Sequence, residues 1–295
     1  AFYAPGQRES YFIEVSLSDV TMGGHQNYED LYKPNLAALS EHGAVFSSVK
    51  RSKQGPRDMV VLPATVYYKP NGRNQNGREW RYMMNVDEHV KCVAAGFGDG
   101  CGFVAAATMP ETGNQHRLYI FDCLSGSPIS VQLLPGAAYC LVGYRNLLLV
   151  IYADEQQKLW FQLYNVKSSQ IVKHEKLPSG FSSSLDWVGF SVAGFPAIQS
   201  GNSVAFFVSH IDGWVPALSD PLPNHSVITY ITDQKVFYRK TNSDQSLHES
   251  AEHNMNISFP IPFEQFERGL DAAKTRKNFN IFLLQFCKYH LMLII

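Results

Sequence analysis

Residues 146–180 carry the pattern that decides the fold, and they read NLLLVIYADEQQKLWFQLYNVKSSQIVKHEKLPSG. An apolar run and a polar turn are followed by a second apolar run that admits polar residues, and then by a more polar third run. A short run that is apolar throughout is typical of a strand buried on both faces. The gradient therefore predicts three successive strands that lie progressively further from a buried centre.

Near-copies of this pattern flank it on both sides. The upstream copy reads GFVAAAT, RLYIFDCLSG and ISVQLLPG within residues 102–136, and the downstream copy reads GFPAIQS, SVAFFVSHIDGW and VPALSDP within residues 194–221. Phe121, Tyr164 and Val208 align, which gives repeat steps of 43 and 44 residues. A further apolar strand precedes each copy: VKCVAAG (90–96), AYCLVG (138–143) and LDWVGFS (185–191). Four strands repeated with this period are typical of β-propeller blades.

The sequence outside the three copies fits the same template. VITYITDQKVFYRK (227–240) predicts a hairpin with its turn at Asp233 and Gln234, and MNISFPIPF (255–263) predicts the outer strand of that blade. Residues 36–86 supply one more blade with long loops. YFIEVSL (11–17) is left over, and we expect it to complete the blade at the other end of the chain, because such closure removes exposed sheet edges.

The predicted architecture is all-β: a WD40-like β-propeller of about six blades over residues 1–263, followed by a short C-terminal helical segment over residues 264–295. Apolar residues in that segment recur at spacings of three and four, as on one face of a helix. The candidate partner-binding or packing helix contains Phe266, Leu270, Phe279, Phe282 and Phe286.

The composition excludes several classes of protein. Of the 295 residues, 45% are apolar and 17% are charged, so the chain can build a core and is not intrinsically disordered. A net charge of -1 provides no global field toward nucleic acid or anionic lipid. Five cysteines without a C-x-x-C spacing favour reduced thiols, and no secretory signal opens the chain. We therefore expect the cytosol or the nucleus.

No motif predicts a cofactor, a metal ion or a catalytic group. The glycine run from Gly96 to Gly102 departs from a phosphate-binding spacing and is typical of a hairpin turn. Cysteines and histidines between residues 89 and 123 lack the spacing of a zinc site, so we expect buried cysteines. The aspartates are expected to cap turns, and they are Asp99, Asp122, Asp154, Asp186, Asp212 and Asp233. A glycosidase-like propeller enzyme is an alternative, and it requires carboxylates at the mouth of the central channel.

One segment has a strong local charge. Between residues 50 and 81 there are eight cations against two acids, Asp58 and Glu79. The simpler interpretation is a solvated loop face. The functional one is a surface for a nucleic acid backbone or an acidic protein partner. The residues proposed for this basic patch are Lys50, Arg51, Lys53, Arg57, Arg73, Arg78 and Arg81.

The repeats resemble the replisome adaptor family known as acidic nucleoplasmic DNA-binding protein or chromosome transmission fidelity protein, in its middle, SepB-type propeller. Residues 79–108, EWRYMMNVDEHVKCVAAGFGDGCGFVAAAT, are similar to the family's tryptophan-started strand, acidic turn and alanine-rich inner strand. Residues 133–152 are similar to its leucine-proline-glycine link into the next blade. The most specific likeness lies in residues 185–220, with a tryptophan, glycine and phenylalanine strand and a late tryptophan-x-proline.

This resemblance implies a non-enzymatic, homotrimeric scaffold of DNA replication in the nucleus. It implies a link between DNA polymerase alpha-primase and the replicative helicase, with its GINS component, through short peptide motifs. In the family these peptides dock on a helical domain after the propeller, of which we expect only a piece in residues 264–295, so no docking residue is carried over. DNA is a further candidate partner. A peptide-binding propeller unrelated to replication is the remaining alternative.

Overall fold

The computed structural model describes residues 11–16, 25–30, 33–40, 42–54, 59–71, 78–98, 100–209, 211–232, 234–240 and 251–258. Within these ranges the chain consists of β-strands, turns and one short 3-10 helix, Ser179–Phe181, so the all-β prediction is confirmed. None of the described helical structure has the length and apolar character needed to cross a bilayer.

The first strands of the chain form a two-stranded antiparallel sheet of their own, β1 (Tyr11–Ser16) and β2 (His25–Asp30). We expected residues 11–17 to complete the last blade instead. That expectation is wrong, because the described hydrogen-bonded partner of β1 is β2. The partner strand follows closely in the chain, so this pairing costs much less loop-closure entropy than pairing with a distant blade.

Residues 34–83 form a blade with an inserted hairpin. The six strands are β3 (Pro34–Ser40), β4 (Gly43–Ser48), β5 (Arg51–Gln54), β6 (Met59–Leu62), β7 (Thr65–Pro70) and β8 (Trp80–Met83). The first blade has the order β3-β4-β7-β8, while β5 and β6 pair separately between its second and third strands. Residues 36–86 therefore supply one blade with a long insertion, as predicted.

The three sequence repeats each form one four-stranded antiparallel sheet, hydrogen-bonded in chain order. The second blade contains β9 (Glu88–Gly98), β10 (Cys101–Pro110), β11 (Arg117–Asp122) and β12 (Pro128–Leu133). The third contains β13 (Ala137–Tyr144), β14 (Leu147–Ala153), β15 (Leu159–Asn165) and β16 (Gln170–Lys176). The fourth contains β17 (Trp187–Phe190), β18 (Pro196–Ser200), β19 (Ser203–Val208) and β20 (Gly213–Pro216).

One strand of the fourth blade starts earlier than the sequence suggested. We placed its last strand at residues 215–221, but β20 begins at Gly213, where it pairs with Val208. The turn between β19 and β20 is closed at Asp212, which has a φ of 52°. Asp tolerates this left-handed conformation better than most residues, so the chain reverses before Trp214.

The fifth blade has three described strands, β21 (Ser226–Ile231), β22 (Lys235–Lys240) and β23 (Glu252–Asn256). The predicted hairpin at residues 227–240 is confirmed. Its outer strand begins at Glu252, three residues before the predicted start, and residues 259–263 lie outside the described part of the chain.

The blades follow one another through their first strands. Each first strand contacts the next one in the order β3, β9, β13, β17 and β21. Apolar clusters fill the spaces between successive blades. In β10, Val104 and Ala106 belong to the cluster shared with the first blade, whereas Ala105 and Ala107 belong to the cluster shared with the third. The predicted burial of this strand on both faces is confirmed, and the architecture is a β-propeller.

Candidate functional site

Lys50 and Arg51 of the predicted basic patch make contacts within the protein. Lys50 pairs with Glu111, and the Nη2 of Arg51 donates to the carbonyl oxygen of Lys33 at 2.7 Å. Lys69, a cation of the same segment outside the proposed patch, lies 3.8 Å from Glu79. Arg78 and Arg81 are exposed near the outer strand β8, and Lys53 lies on β5. Arg57 and Arg73 lie outside the described residues. The role of the basic patch as a surface for nucleic acid stays a prediction. Its net positive charge is lower than the sequence suggested, because Glu111 neutralises Lys50.

The Lys50 interaction joins the first and second blades. Lys50 follows β4 and Glu111 follows β10, which are the second strands of their blades, so both residues lie at the same end of the propeller. The Nζ of Lys50 is 2.5 Å from Oε1 of Glu111, and Nε2 of His89 is 3.3 Å from the same oxygen. The hydrogen bond from Lys50 is the main cause that holds the pKa of Glu111 below its ordinary value.

Replacing Lys50 with methionine should raise the pKa of Glu111 toward its ordinary value, because the main hydrogen bond to the carboxylate is lost. In the native protein this depressed pKa contributes stability above the ordinary carboxyl range, and that contribution is lost as the pH falls through the folded-state value. A pH titration of the Glu111 carboxyl carbon by NMR measures the change. Lys69→Met is the control and should leave Glu111 unaffected. An unchanged Glu111 titration in Lys50→Met would contradict the ion pair.

A buried carboxylate that the sequence did not reveal lies beside this junction. Glu88 is 1% exposed, and its carboxylate accepts hydrogen bonds from Tyr119 Oη at 2.9 and 3.0 Å and from Nη1 of Arg117. The hydrogen bonds that Arg117 makes with Tyr119 and Glu88 raise the pKa of Arg117. Burial is the first cause that raises the pKa of the Tyr119 hydroxyl, and hydrogen bonding to Glu88 is the second. Because both donors belong to β11, the Glu88 carboxylate ties β9 to β11.

The turn aspartates in the described residues also act on their own chain. Asp122 accepts from the amide of Ser125, Asp154 accepts from the amides of Gln156 and Lys158, and the carboxylate of Asp186 accepts from the amide of Gly201. Asp212 pairs with Lys173 at 2.7 Å. Asp99 and Asp233 lie outside the described residues. These contacts give each of the four aspartates a structural role, so they favour the turn interpretation over a carboxylate cluster of an enzyme.

The cysteines and glycines for which the sequence predicted no metal or phosphate site have structural roles. Cys123 is buried among apolar residues, as expected, whereas Cys92 is only half-buried, so the expectation of buried cysteines is wrong for Cys92. The glycine run forms the tight connection between β9 and β10, where Gly100 has a φ of 75°. In the described residues, no three His, Cys, Asp or Glu side chains are grouped as metal ligands.

A cleft of about 370 Å³ opens between the first and second blades, next to the Lys50 and Glu111 pair. It is lined by residues of both blades: Asn35, Leu36 and Val49 from the first, and His89, Val90, Lys91 and Met109 from the second. Leu36 and Val90 belong to the apolar cluster between the two blades, so the floor of the cleft is apolar. Nothing in the sequence pattern indicated this cleft, because it is formed by residues of two blades that lie forty or more positions apart.

The outer strand of the second blade exposes an apolar row. Ile129, Val131 and Leu133 alternate along β12 and are 49%, 52% and 67% exposed. The sequence predicted a polar rim strand here because of Gln132. The position at the rim is confirmed, but Gln132 and the apolar row point to opposite faces of the strand. Outer strands β8, β16 and β23 carry charged residues, and Trp214 and Val215 of β20 are half-buried. The β12 row is therefore the candidate self-association surface.

The residues of the candidate partner-binding or packing helix lie outside the described part of the chain. They are Phe266, Leu270, Phe279, Phe282 and Phe286.

Successive antiparallel sheets that pack through their first strands define the class of this protein as a β-propeller. The chain belongs to the family of minichromosome loss protein Mcl1, because the model of the family's middle region matches residues 4–249. The family resemblance seen in the repeats is thereby confirmed.

Two relatives carry the name WD repeat and HMG-box DNA-binding protein 1. The protein of Mus musculus is 30% identical over 128 residues, which cover 41% of this chain and 11% of the relative. The protein of Xenopus laevis is 26% identical over 148 residues, which cover 47% and 12%. The chain thus corresponds to a small part of these relatives.

Two solved structures also align with the chain. The β-propeller domain of the trilobed protease of Pyrococcus furiosus has a TM-score of 0.46 and 11% identity, covering 77% of this chain and 68% of that one. The structure of HIRA(644-1017) has a TM-score of 0.41 and 15% identity, covering 71% and 55%.

Proposed function

We propose that this chain is a non-enzymatic, homotrimeric adaptor of the DNA replication fork in the nucleus. It links DNA polymerase alpha-primase to the replicative helicase through short peptide motifs. Membership of the Mcl1 family is the observation that carries the proposal. A trimer raises the effective concentration of each weak peptide contact, so that several together hold an assembly that one contact would not.

The exposed row on β12 supports self-association. Edge strands of soluble proteins usually carry charge, and an apolar edge without charge favours pairing with another protein surface. The sequence of β12, PISVQL, contains no charged residue. We assign the row of Ile129, Val131 and Leu133 to the contact between copies.

Replacing both Val131 and Leu133 with glutamate should convert the trimer to a monomer, because each contact between copies would then have to bury carboxylates without partners. Multi-angle light scattering at micromolar concentration should give about three times 33.2 kDa for the native chain and one times this mass for the variant. Both side chains are already in solvent, so circular dichroism should be unchanged. Val172→Glu, at a residue on β16 that is 51% exposed, is the matched control and should stay trimeric.

A native chain that is monomeric at these concentrations would overturn the trimer. A trimer that survives both glutamates would place the contact elsewhere and refute the role of β12. The link to replication has a separate test, a pull-down with helicase and polymerase peptides, because a propeller unrelated to replication would not retain them.

A further inference from the structure

Two β-bulges aim polar side chains into the cleft between the first and second blades. The register between β3 and β4 skips Asn35, and the register between β9 and β10 skips Lys91. A bulged residue leaves the regular alternation of the strand and can be aimed at a site. Both skipped residues line the same cleft.

The same bulge occurs in two other blades, where the protein itself uses the skipped residue. Tyr139 is skipped in β13, and its hydroxyl donates to the carbonyl oxygen of Leu185 in the linker to the next blade at 3.1 Å. Thr229 is skipped in β21, and its Oγ1 lies 3.0 Å from the carboxylate of Glu252. By contrast, the side chains of Asn35 and Lys91 make no hydrogen bond or ion pair within the described residues. They are available for a ligand.

The charge of the cleft favours an anionic partner. None of its lining residues is an Asp or Glu. The nearby carboxylate of Glu111 already pairs with Lys50 and His89. The positive charge of Lys91 also reaches His116, whose pKa is lowered by burial first and by Lys91 second. Lys91 therefore supplies a positive group that no described acid pairs with.

The lining favours a peptide over a nucleic acid. Leu36, Val49, Val90 and Met109 provide an apolar floor and wall, and Met109 can adapt to different shapes. Single-stranded nucleic acids are held by a basic groove together with aromatic rings on which the bases stack. The cleft has one lysine and no Phe, Tyr or Trp, and its one ring, His89, lies 3.3 Å from the carboxylate of Glu111. Its volume of about 370 Å³ falls in the range of ligand pockets, roughly 300–1,000 Å³.

We infer that this cleft binds an acidic linear peptide of a partner protein, with one apolar side chain on Leu36 and Val90, a carboxylate on Lys91 and a polar backbone group on Asn35. This site lies on the propeller itself and does not depend on self-association. It adds a second mode of partner binding to the proposed adaptor.

An array of short synthetic peptides tests the inference, each with one leucine, isoleucine or phenylalanine among aspartates and glutamates. Fluorescence anisotropy with the best array peptide should give saturable binding to the full chain. Lys91→Glu and Val49→Glu should each weaken it about tenfold or more, since each removes a central contact. Lys158→Glu and Val172→Glu are the matched controls at exposed positions and should bind like the native chain.

Each other result is decisive. An array without saturable binding overturns the inference, as does a peptide whose affinity is unchanged when its apolar residue becomes serine. Displacement of the peptide by a single-stranded oligonucleotide would indicate a nucleic acid site instead. Light scattering separates this test from that of the trimer, because Lys91→Glu should keep the native mass and the β12 variant should keep the peptide affinity.

Discussion

Gly143→Ala should destabilise the protein by about 3 kcal/mol, at the upper end of what overpacking in a tight core costs. A Cβ atom at Gly143 would lie 2.2 Å from the carbonyl oxygen of Ala95, and 2.9 Å from the amide nitrogen of Gly96. Those atoms belong to the backbone of β9, the first strand of the neighbouring blade, so no side-chain rotation relieves the overlap. The two first strands must separate, which disturbs the spacing of the blades.

Thermal unfolding monitored by circular dichroism measures this effect, and a loss of roughly 6–12 °C in Tm is expected for a domain of this size. Gly180→Ala is the matched control. No atom lies within 4 Å of a Cβ at Gly180 and its φ is not positive, so this variant should unfold within a degree or two of the native protein. Equal Tm values for both variants would show that β9 and β13 do not touch, and the propeller assignment would lose its central contact.

Much of this fold is predictable because each blade is built from consecutive strands and the same strand pattern recurs from blade to blade. In β10 the small residues Val104, Ala105 and Ala106 are apolar on both faces, and each face meets a different blade. The hairpins and their order also follow from the sequence, since each strand pairs with the next one along the chain. The sequence analysis misplaced β1, because it expected a long-range pairing that closes the propeller, whereas β1 pairs locally with β2.

The candidate sites were less predictable for the same reason. The sequence shows a cationic segment around Lys50, but the acid that neutralises it, Glu111, is 61 residues away. The bulges at Asn35 and Lys91 depend on the register between strands, which no single-strand pattern contains. The apolar row on β12 was visible as an alternation, yet one glutamine made the strand look polar. The apolar row is exposed because the face of β12 that carries it points to solvent, which the sequence of the strand does not specify.

Gln199→Leu should destabilise the protein by about 3 kcal/mol, because it leaves the buried backbone groups of Ser226 and Ile228 without partners, at about 1.5 kcal/mol each. Gln199 is fully buried and joins the fourth blade to the fifth. Its Nε2 donates to the carbonyl oxygens of Ser226 at 2.6 Å and Gly201 at 3.0 Å, and its Oε1 accepts from the amide of Ile228 at 3.2 Å. Leucine fills a similar volume and satisfies none of them.

Gln199→Glu keeps the size and shape of the side chain but removes its two N–H donors, so it tests the hydrogen bonds apart from the packing. A carboxylate at this position faces the carbonyl oxygens of Ser226 and Gly201, so burial and repulsion should raise its pKa above the ordinary glutamate value. A raised folded-state pKa means that stability is highest below the ordinary value and falls as the pH rises through the raised one. Urea unfolding at acid and neutral pH should therefore show a loss of unfolding free energy for Gln199→Glu that shrinks in acid, while the loss for Gln199→Leu should not change.

Gln132→Leu is the control and should lose less than about 0.5 kcal/mol, because among the described residues the Gln132 amide donates to Ser130 alone, at 3.1 Å. If Gln199→Leu were as harmless as this control, the hydrogen bonds of Gln199 would not hold the last two blades together.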